Sequence, residues 1–442
     1  MKGLILIYLI AASGTVGAIF NPVIGLFVYV GFAVLRPQFI WGFAGDFSGI
    51  SLYVGIATLV GWAFRGFGTF RLGRGKSIVI SLALFALWAA ISATQAVDRE
   101  VAYNEMMPML KYVVPFLIGV TLLNTEQLSR GMFWVIVGCQ GWVGLEMNQT
   151  YLMKGYNVAG DGFGGMDNNC FGVALVSTIG PAVALALGAK KWYEKAFAIA
   201  AVLLILHTTL LTFSRGALVG LALVGLTAFI IMPKRPKHIG ALVLIVLIAA
   251  RLTGPQLMAR YATIAVEEED RDASAESRLD LWKDCLKVMW QNPVFGVGPG
   301  NFRVVAADLG WSPGKQAHST WMQTAAENGA PGVALLLCFF LLTLVKVWPL
   351  ARQKQTEENR YQVVMASGIV MCLVGFIVTG QFVSLGGLEI PYYVAMIGVI
   401  LLKTQPASAP AVAEAAPRPA MPERSGSLAM ARPVQQSPAR TS

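Results

Sequence analysis

Three short stretches of the chain pair a helix-start signature with a residue able to handle an anion or a proton. In Leu211-Thr212-Phe213-Ser214-Arg215-Gly216, two apolar runs are joined with almost no loop. Ser214 can cap the second run, which puts Arg215 in its first turn. The free amides and positive dipole end of a helix start already attract anions, and an arginine there adds a full charge. Its planar fork suits a phosphate, and a charge-assisted hydrogen bond contributes roughly 1.5–3 kcal/mol. The competing role, an arginine that only sets topology, fits less well because this junction is read as facing away from the cytoplasm.

Ser277-Arg278-Leu279-Asp280 reads as a capping box, with the acid three residues after the serine. Leu279, Trp282, Leu286 and Met289 follow at helical spacing, Lys283, Asp284 and Lys287 lie on other faces, and Asn292-Pro293 ends the run. The pattern predicts a helix lying along the membrane surface with Arg278 in its first turn. Alone, Arg278 reads as an exposed arginine on an amphipathic helix; together with Arg215 it can clamp one pyrophosphate. The third stretch, His318-Ser319-Thr320-Trp321, opens a helix expected to end at Asn328-Gly329 before Pro331 starts the next span. At such a start the dipole favours neutral imidazole, which near its ordinary pKa of about 6.5 can take a proton from a sugar hydroxyl. A lone histidine is more often structural, so His318 draws its interest from the two arginines.

Other motifs are weaker. Gly296-Val297-Gly298-Pro299-Gly300-Asn301-Phe302 is glycine-rich, but it follows no strand and a proline interrupts it, so a tight loop on the outer face is expected. The run Glu267-Glu268-Glu269-Asp270-Arg271-Asp272 reads as a solvated loop, and Asp167 or Asn168 as the cap of the span that follows. Cys139, Cys170, Cys285, Cys338 and Cys372 are isolated and accompany no clustered histidines, so neither a disulfide framework nor a metal site is indicated.

The elements that must position these residues are membrane spans. Hydrophobic residues make up 56% of the chain and charged residues 13%, which excludes an ordinary soluble domain. A helix needs roughly 20 apolar residues to cross the hydrocarbon core. Such runs fall at 3–35, 50–66, 77–95, 108–123, 131–147, 169–188, 195–213, 215–232, 239–254, 329–350, 361–382 and 388–403. The expectation is an all-α polytopic membrane protein of about twelve transmembrane helices. The run 3–35 crosses either once, broken, or twice, and is read as retained rather than cleaved.

Arg65, Arg71, Arg74 and Lys76, then Lys190, Lys191 and Lys195, then Lys234, Arg235 and Lys237, then Arg352, Lys354 and Arg360 occupy alternate loops. Positive charge of that kind marks cytoplasmic loops, so the net charge of +10 reflects topology rather than nucleic-acid binding. Loops 96–107, 148–168 and the long 255–328 then face outward. Residues 1–403 form one membrane domain that includes this long loop, and 404–442 a disordered cytoplasmic tail. Lys111, Glu146, His207, Arg215, Arg251 and Glu389 lie toward the outer ends of their spans. Each costs at least roughly 2.5–3.5 kcal/mol at the bilayer centre, so each is either functional or a paired, snorkelling end residue.

Taken as a set, Ser214-Arg215-Gly216, the Ser277-Arg278-Leu279 to Trp282 segment, Asn292-Pro293 with Gly296-Val297-Gly298, and His318-Ser319 followed by Glu327-Asn328-Gly329 resemble the O-antigen ligase and polymerase superfamily of bacterial envelope enzymes. The motif resemblance covers roughly residues 160–350. It implies a membrane glycosyltransferase fold of the GT-C type in the bacterial inner membrane, its active site in the periplasm. It implies an inverting reaction without metal or cofactor: a glycan moves from undecaprenyl diphosphate to a sugar of lipid A-core. Arg215 and Arg278 would then bind the diphosphate and His318 would activate the acceptor hydroxyl. Polymerisation of repeat units and transfer to a protein hydroxyl are alternatives within the class; a transporter or flippase and a non-catalytic scaffold are alternatives outside it. Arg36-Pro37 and Trp41-Gly42-Phe43 are similar to the opening segments of some superfamily members in exosortase-containing bacteria.

Overall fold

The structure, a computed structural model, describes residues 2–42, 49–232, 240, 244, 247, 251, 268–385 and 388–405. Among these residues the regular structure is all helix, apart from one isolated bridge between Phe163 and Met166. The helices are α1 (Lys2–Phe20), α2 (Pro22–Leu35), α3 (Pro37–Trp41), α4 (Ile50–Phe64), α5 (Lys76–Thr94), α6 (Arg99–Leu122), α7 (Glu126–Lys154), α8 (Asn168–Gly188), α9 (Trp192–Leu211), α10 (Arg215–Ile231), α11 (Glu268–Gln291), α12 (Phe302–Val305), α13 (Thr320–Ala351), α14 (Arg360–Thr379) and α15 (Ile390–Lys403). Seven of the described helices are long and apolar enough to cross a membrane, and α2, α4, α10 and α15 are shorter apolar helices. The span expected over 239–254 lies almost wholly outside the described residues; Arg251 within it is helical and exposed. The basic loop around Lys234 and the expected tail beyond Gln405 lie outside them too.

Residues 3–35 form two helices. Asn21 ends α1 and caps α2 through its side chain, with Pro22 in the first position of the new helix. Gly14 faces Val28 and Gly17 faces Ile24, so α1 and α2 run antiparallel. On the far side, a Cβ on Gly61 of α4 would sit 2.0 Å from the Ala18 carbonyl oxygen. Small residues at such crossings let backbones meet where lipid supplies no hydrophobic drive between helices.

The central pillar is α15, buried along almost its whole length, with α8 and α14 packed beside it. Close approach again sets the geometry: a Cβ on Gly180 of α8 would fall 2.4 Å from the Gly368 carbonyl oxygen of α14. Tyr392 stacks on Tyr112 of α6 at 4.0 Å and on Phe339 of α13 at 5.7 Å, tying the pillar to its neighbours. Phe20, Leu52, Tyr53, Phe64 and Val345 point outward on peripheral helices, the apolar exterior that lipid requires.

The two ends of the bundle differ. At one, Lys346 Nζ donates to the Arg74 carbonyl at 2.9 Å, Arg74 reaches Gln405 at 3.3 Å, Gln405 reaches Gln362 at 3.3 Å, and Arg360 donates to the Leu187 carbonyl at 3.3 Å. Basic loops that sequence spacing assigns to one side therefore share one end. At the other lie the starts of α8, α10 and α13.

Two expected boundaries move. Asp98 caps α6 through a bond from Val101 N, so most of the expected loop 96–107 is helical and Lys111 stands mid-helix rather than at an end. Likewise α7 continues to Lys154, with Gly155 in the left-handed conformation ending it. Both extensions are polar, which ended the apolar pattern without ending the helix.

Candidate functional site

The junction between α9 and α10 forms as its sequence predicts. Ser214 accepts from Ala217 N at 3.3 Å, and Arg215 occupies the exposed first turn of α10. Phe213, at φ 53°, makes the reversal in a conformation that non-glycine residues rarely adopt. Two asparagines hold it in place, one in the loop before α8 and one at the start of α8: Asn157 Nδ2 donates to the Leu211 carbonyl at 2.8 Å and Asn168 Nδ2 to the Thr212 carbonyl at 2.9 Å.

Arg278 is placed differently from expectation. Helix α11 begins at Glu268, so Ser277 caps nothing and Arg278 lies well inside the helix, away from its dipole end. The capping-box spacing is met, but the helical pattern extends back through the acidic run, part of which is therefore helix rather than loop. The expected apolar residues of α11 divide between two faces. Leu281, Cys285, Val288 and Met289 are buried, whereas Leu279, Leu286 and Trp290 form an exposed apolar stripe. Leu281, Cys285 and Val288 pack with Val297, Phe302, Ala306, Ala317 and Ala326 into a small core separate from that of the bundle.

This small core carries His318. Ser319 caps α13 through a bond from Met322 N at 3.3 Å, leaving His318 just outside the helix, half-buried, at φ 50°. Clamps act on both sides of it. Trp282 Nε1 donates to the Ala317 carbonyl at 3.1 Å; Thr320 N donates to the Gly380 carbonyl at 2.8 Å and Thr320 Oγ1 to the Val383 carbonyl at 2.9 Å. Burial pushes the His318 pKa below 6.5, the nearby charges of Arg278 and Lys315 push it the same way, and Asp167 opposes them. The imidazole is thus held toward its neutral form, by desolvation first and by cationic neighbours after it.

Hydrogen bonds join the same parts: Trp282, one turn beyond Arg278, bonds the residue before His318, and Cys170 touches Ser384, whose neighbours bond Thr320. Asp167 caps α8, as expected, through a bond from Cys170 N at 2.7 Å, and its pull on the His318 pKa is not legible in the sequence. Arg215 reaches this end of the bundle by another route. The Cβ position of its neighbour Gly216 lies 3.2 Å from Phe382 Cβ, in the 379–385 turn to which Thr320 is bonded.

A break in α13 shapes the floor beside the site. Gly329, at φ 68° and ψ −175°, interrupts the helix, and the freed carbonyls of Ala326 and Glu327 accept from Val297 N at 3.0 Å and Gly298 N at 2.8 Å. A Cβ on Gly296 would fall 2.4 Å from the Glu327 carbonyl carbon, so only glycine fits there. The glycine-rich stretch is the tight loop its composition suggested, and it serves as a backbone splint for the broken helix. Asn301 extends it to the α5–α6 corner, accepting from Asp98 N at 2.7 Å.

Of the other ionisable residues, His207 bonds Asn148 across α7 and α9, and Asn148 also donates to Thr208 Oγ1 at 2.8 Å. That pairing gives His207 a structural role. Glu389 pairs with Arg36 at 3.3 Å. Glu146 is half-buried on α7.

The family model described as O-antigen ligase matches residues 200–337, from within α9 to the first half of α13. That match supports membership in the O-antigen ligase superfamily. Arg215, Arg278 and His318 all fall inside the matched segment, as do the α10 cap, the glycine-rich splint and the break in α13. No curated protein matches the chain.

Proposed function

We propose that this chain is an inverting glycosyltransferase of the O-antigen ligase type, moving a glycan from undecaprenyl diphosphate to a sugar hydroxyl of lipid A-core at the periplasmic face of the inner membrane. The observation that carries the reading is the bond from Trp282, one turn beyond Arg278, to the carbonyl next to His318, inside the matched segment and at the end of the bundle opposite the basic loops. A transporter would gather its polar groups near the midplane around discontinuous helices. Here they gather at one end.

In this reading a donor brings its own leaving group, and two tasks remain for the protein. Arg215 and Arg278 stabilise the charge that develops on the departing diphosphate. His318, kept neutral, accepts the acceptor hydroxyl's proton as that oxygen attacks the anomeric carbon from the face opposite the leaving group. Helix α11, with its outward stripe of Leu279, Leu286 and Trp290, rests on the membrane surface and brings Arg278 to the headgroup level. A lateral groove between α7 and α9, lined by Leu145, Leu152, Met153, Leu203 and Leu204, suits an isoprenoid chain; His207 at its back lies one turn before the α9–α10 corner. The GT-C classification, the single membrane domain over 1–403 and the cytoplasmic tail of 404–442 belong to the same proposal.

The test is transfer in proteoliposomes given polyprenyl-diphosphate-linked glycan and lipid A-core, with wild type beside Arg215→Ala, Arg278→Ala and His318→Ala. Transfer by the wild type, lost in all three, supports the reading. Transfer that survives all three removes the mechanism. Wild-type activity confined to a second repeat unit or to a protein hydroxyl reassigns the acceptor.

A further inference from the structure

The N-terminal helices lie outside the matched segment, yet one residue between them reaches the loop that carries Asp167. Arg36 stands between α2 and α3 at φ 47°. Its Nη1 donates to the Gly164 carbonyl, and its Nη2 to Glu389 Oε2 at 3.3 Å. The two charged side chains are only 17% and 10% exposed, so each depends on the other for compensation.

What the guanidinium joins is specific. Gly164 lies in a tight turn closed by reciprocal bonds between Phe163 and Met166, at 3.0 and 3.1 Å. A Cβ on Gly164 would sit 2.5 Å from Arg36 Cδ, so the turn is shaped around the arginine. Phe39 of α3 packs edge-on against Phe163 at 6.2 Å, bracing it from the same side. Asp167 follows the turn directly, while Cys170, one bond further along the same cap, lies 3.7 Å from the Ser384 carbonyl. Ser384 and its neighbours Val383 and Leu385 belong to the segment that receives or supplies the Thr320 bonds, two residues after His318. Arg36 thus spans the turn before Asp167 on one side and, through Glu389, the chain leading into α15 on the other.

We propose that Arg36 and Glu389 are positioning residues of the candidate site: the buried pair fixes the 163–166 turn so that Asp167 faces His318. The idea rests on the reading above only in giving His318 a task. A fork donor is needed because one cation must serve a carbonyl and a carboxylate in two directions, which an ammonium on a flexible stem does poorly.

The measurement is the pH midpoint for diethyl pyrocarbonate modification of His318 in the full-length protein in nanodiscs, read by peptide mass spectrometry. His318 is surrounded by Arg278, Lys315 and Asp167. Asp167→Asn removes the one anion among them and is expected to lower the midpoint. Loss of a positive charge at Arg36, acting only through space, would raise it. If Arg36 acts by holding Asp167, Arg36→Met lowers it instead, and the double variant with Asp167→Asn goes no lower than Asp167→Asn alone. Arg36→Lys and Glu389→Asp, which keep the charges but lose the reach, lower it as well and decide the matter if Arg36→Met does not fold. A raised or unmoved midpoint in the Arg36 variants, additive shifts, or no shift for Asp167→Asn would each overturn the proposal. Because no glycan is transferred in this measurement, its failure is distinct from failure of the transferase reading.

Discussion

The indole of Trp282 donates to the carbonyl of Ala317 at 3.1 Å, which ties the residue before His318 to α11 one turn beyond Arg278. The proposed base and one of the proposed diphosphate cations are thereby built on a single scaffold: moving α11 moves both. Trp282→Phe keeps most of the packing and deletes this bond. With a net hydrogen-bond contribution of about 0.5–1.5 kcal/mol, kcat is expected to fall by about 2- to 12-fold, while the binding of donor changes little. Steady-state kinetics separating kcat from KM checks this; an unchanged kcat would show that His318 is held by its α13 side alone.

The acid limb of the pH–rate profile is expected below 6.5, because burial and then Arg278 and Lys315 disfavour the imidazolium. A base with a lowered pKa stays active further into acid, losing activity only as pH drops through that lowered value. Arg278→Met removes one depressing charge and should move the limb up, whereas Asp167→Asn removes the opposing anion and should move it down. Profiles of kcat/KM for the three proteins give the sign directly.

Each arginine assigned to the diphosphate is expected to contribute about 1.5–3 kcal/mol, so Arg215→Ala and Arg278→Ala should lower kcat/KM by about 10- to 150-fold apiece. Lysine should restore little at either position if both prongs of the fork are used. Full rescue by lysine at both would reduce their part to unspecific charge.

Chelation should leave transfer intact, since guanidinium groups stand where a divalent cation would otherwise neutralise the leaving group. A rate that collapses in EDTA and recovers with magnesium would reverse that assignment.

Packing of the N-terminal hairpin can be probed apart from chemistry. Gly61→Val puts a branched side chain where even a Cβ would lie 2.0 Å from the Ala18 carbonyl oxygen, and should cost about 1–3 kcal/mol or more. Thermal unfolding in detergent is the readout, with Gly42→Val, in open space, as the control.

Much of the scaffold could be read from the chain because lipid imposes long apolar runs, and because caps such as Ser214, Asp167 and Ser319 are local devices. What escaped was non-local. The start of α11 was misplaced because Ser277 and Asp280 satisfy a capping pattern that their position inside a longer helix makes irrelevant. Its second apolar face, Leu281, Cys285 and Val288, packs with Val297, Phe302 and Ala317, contacts that no periodicity within the helix encodes. Asp167 had a sufficient local role as a cap, and nothing nearby in sequence points to His318. Arg36 was visible as part of a short N-terminal motif, but its partners Gly164 and Glu389 are 128 and 353 residues away.

The hairpin of α1 and α2 also decides where the chain's two flanks emerge. Gly3 lies against Trp41, at the end that holds the Arg36 turn, whereas Lys403 donates to the Val120 carbonyl at 2.9 Å at the end of the basic loops. Reporters fused ahead of α1 and behind α15 should therefore light up in opposite compartments, and a protease added to sealed vesicles of one orientation should trim one of them and spare the other.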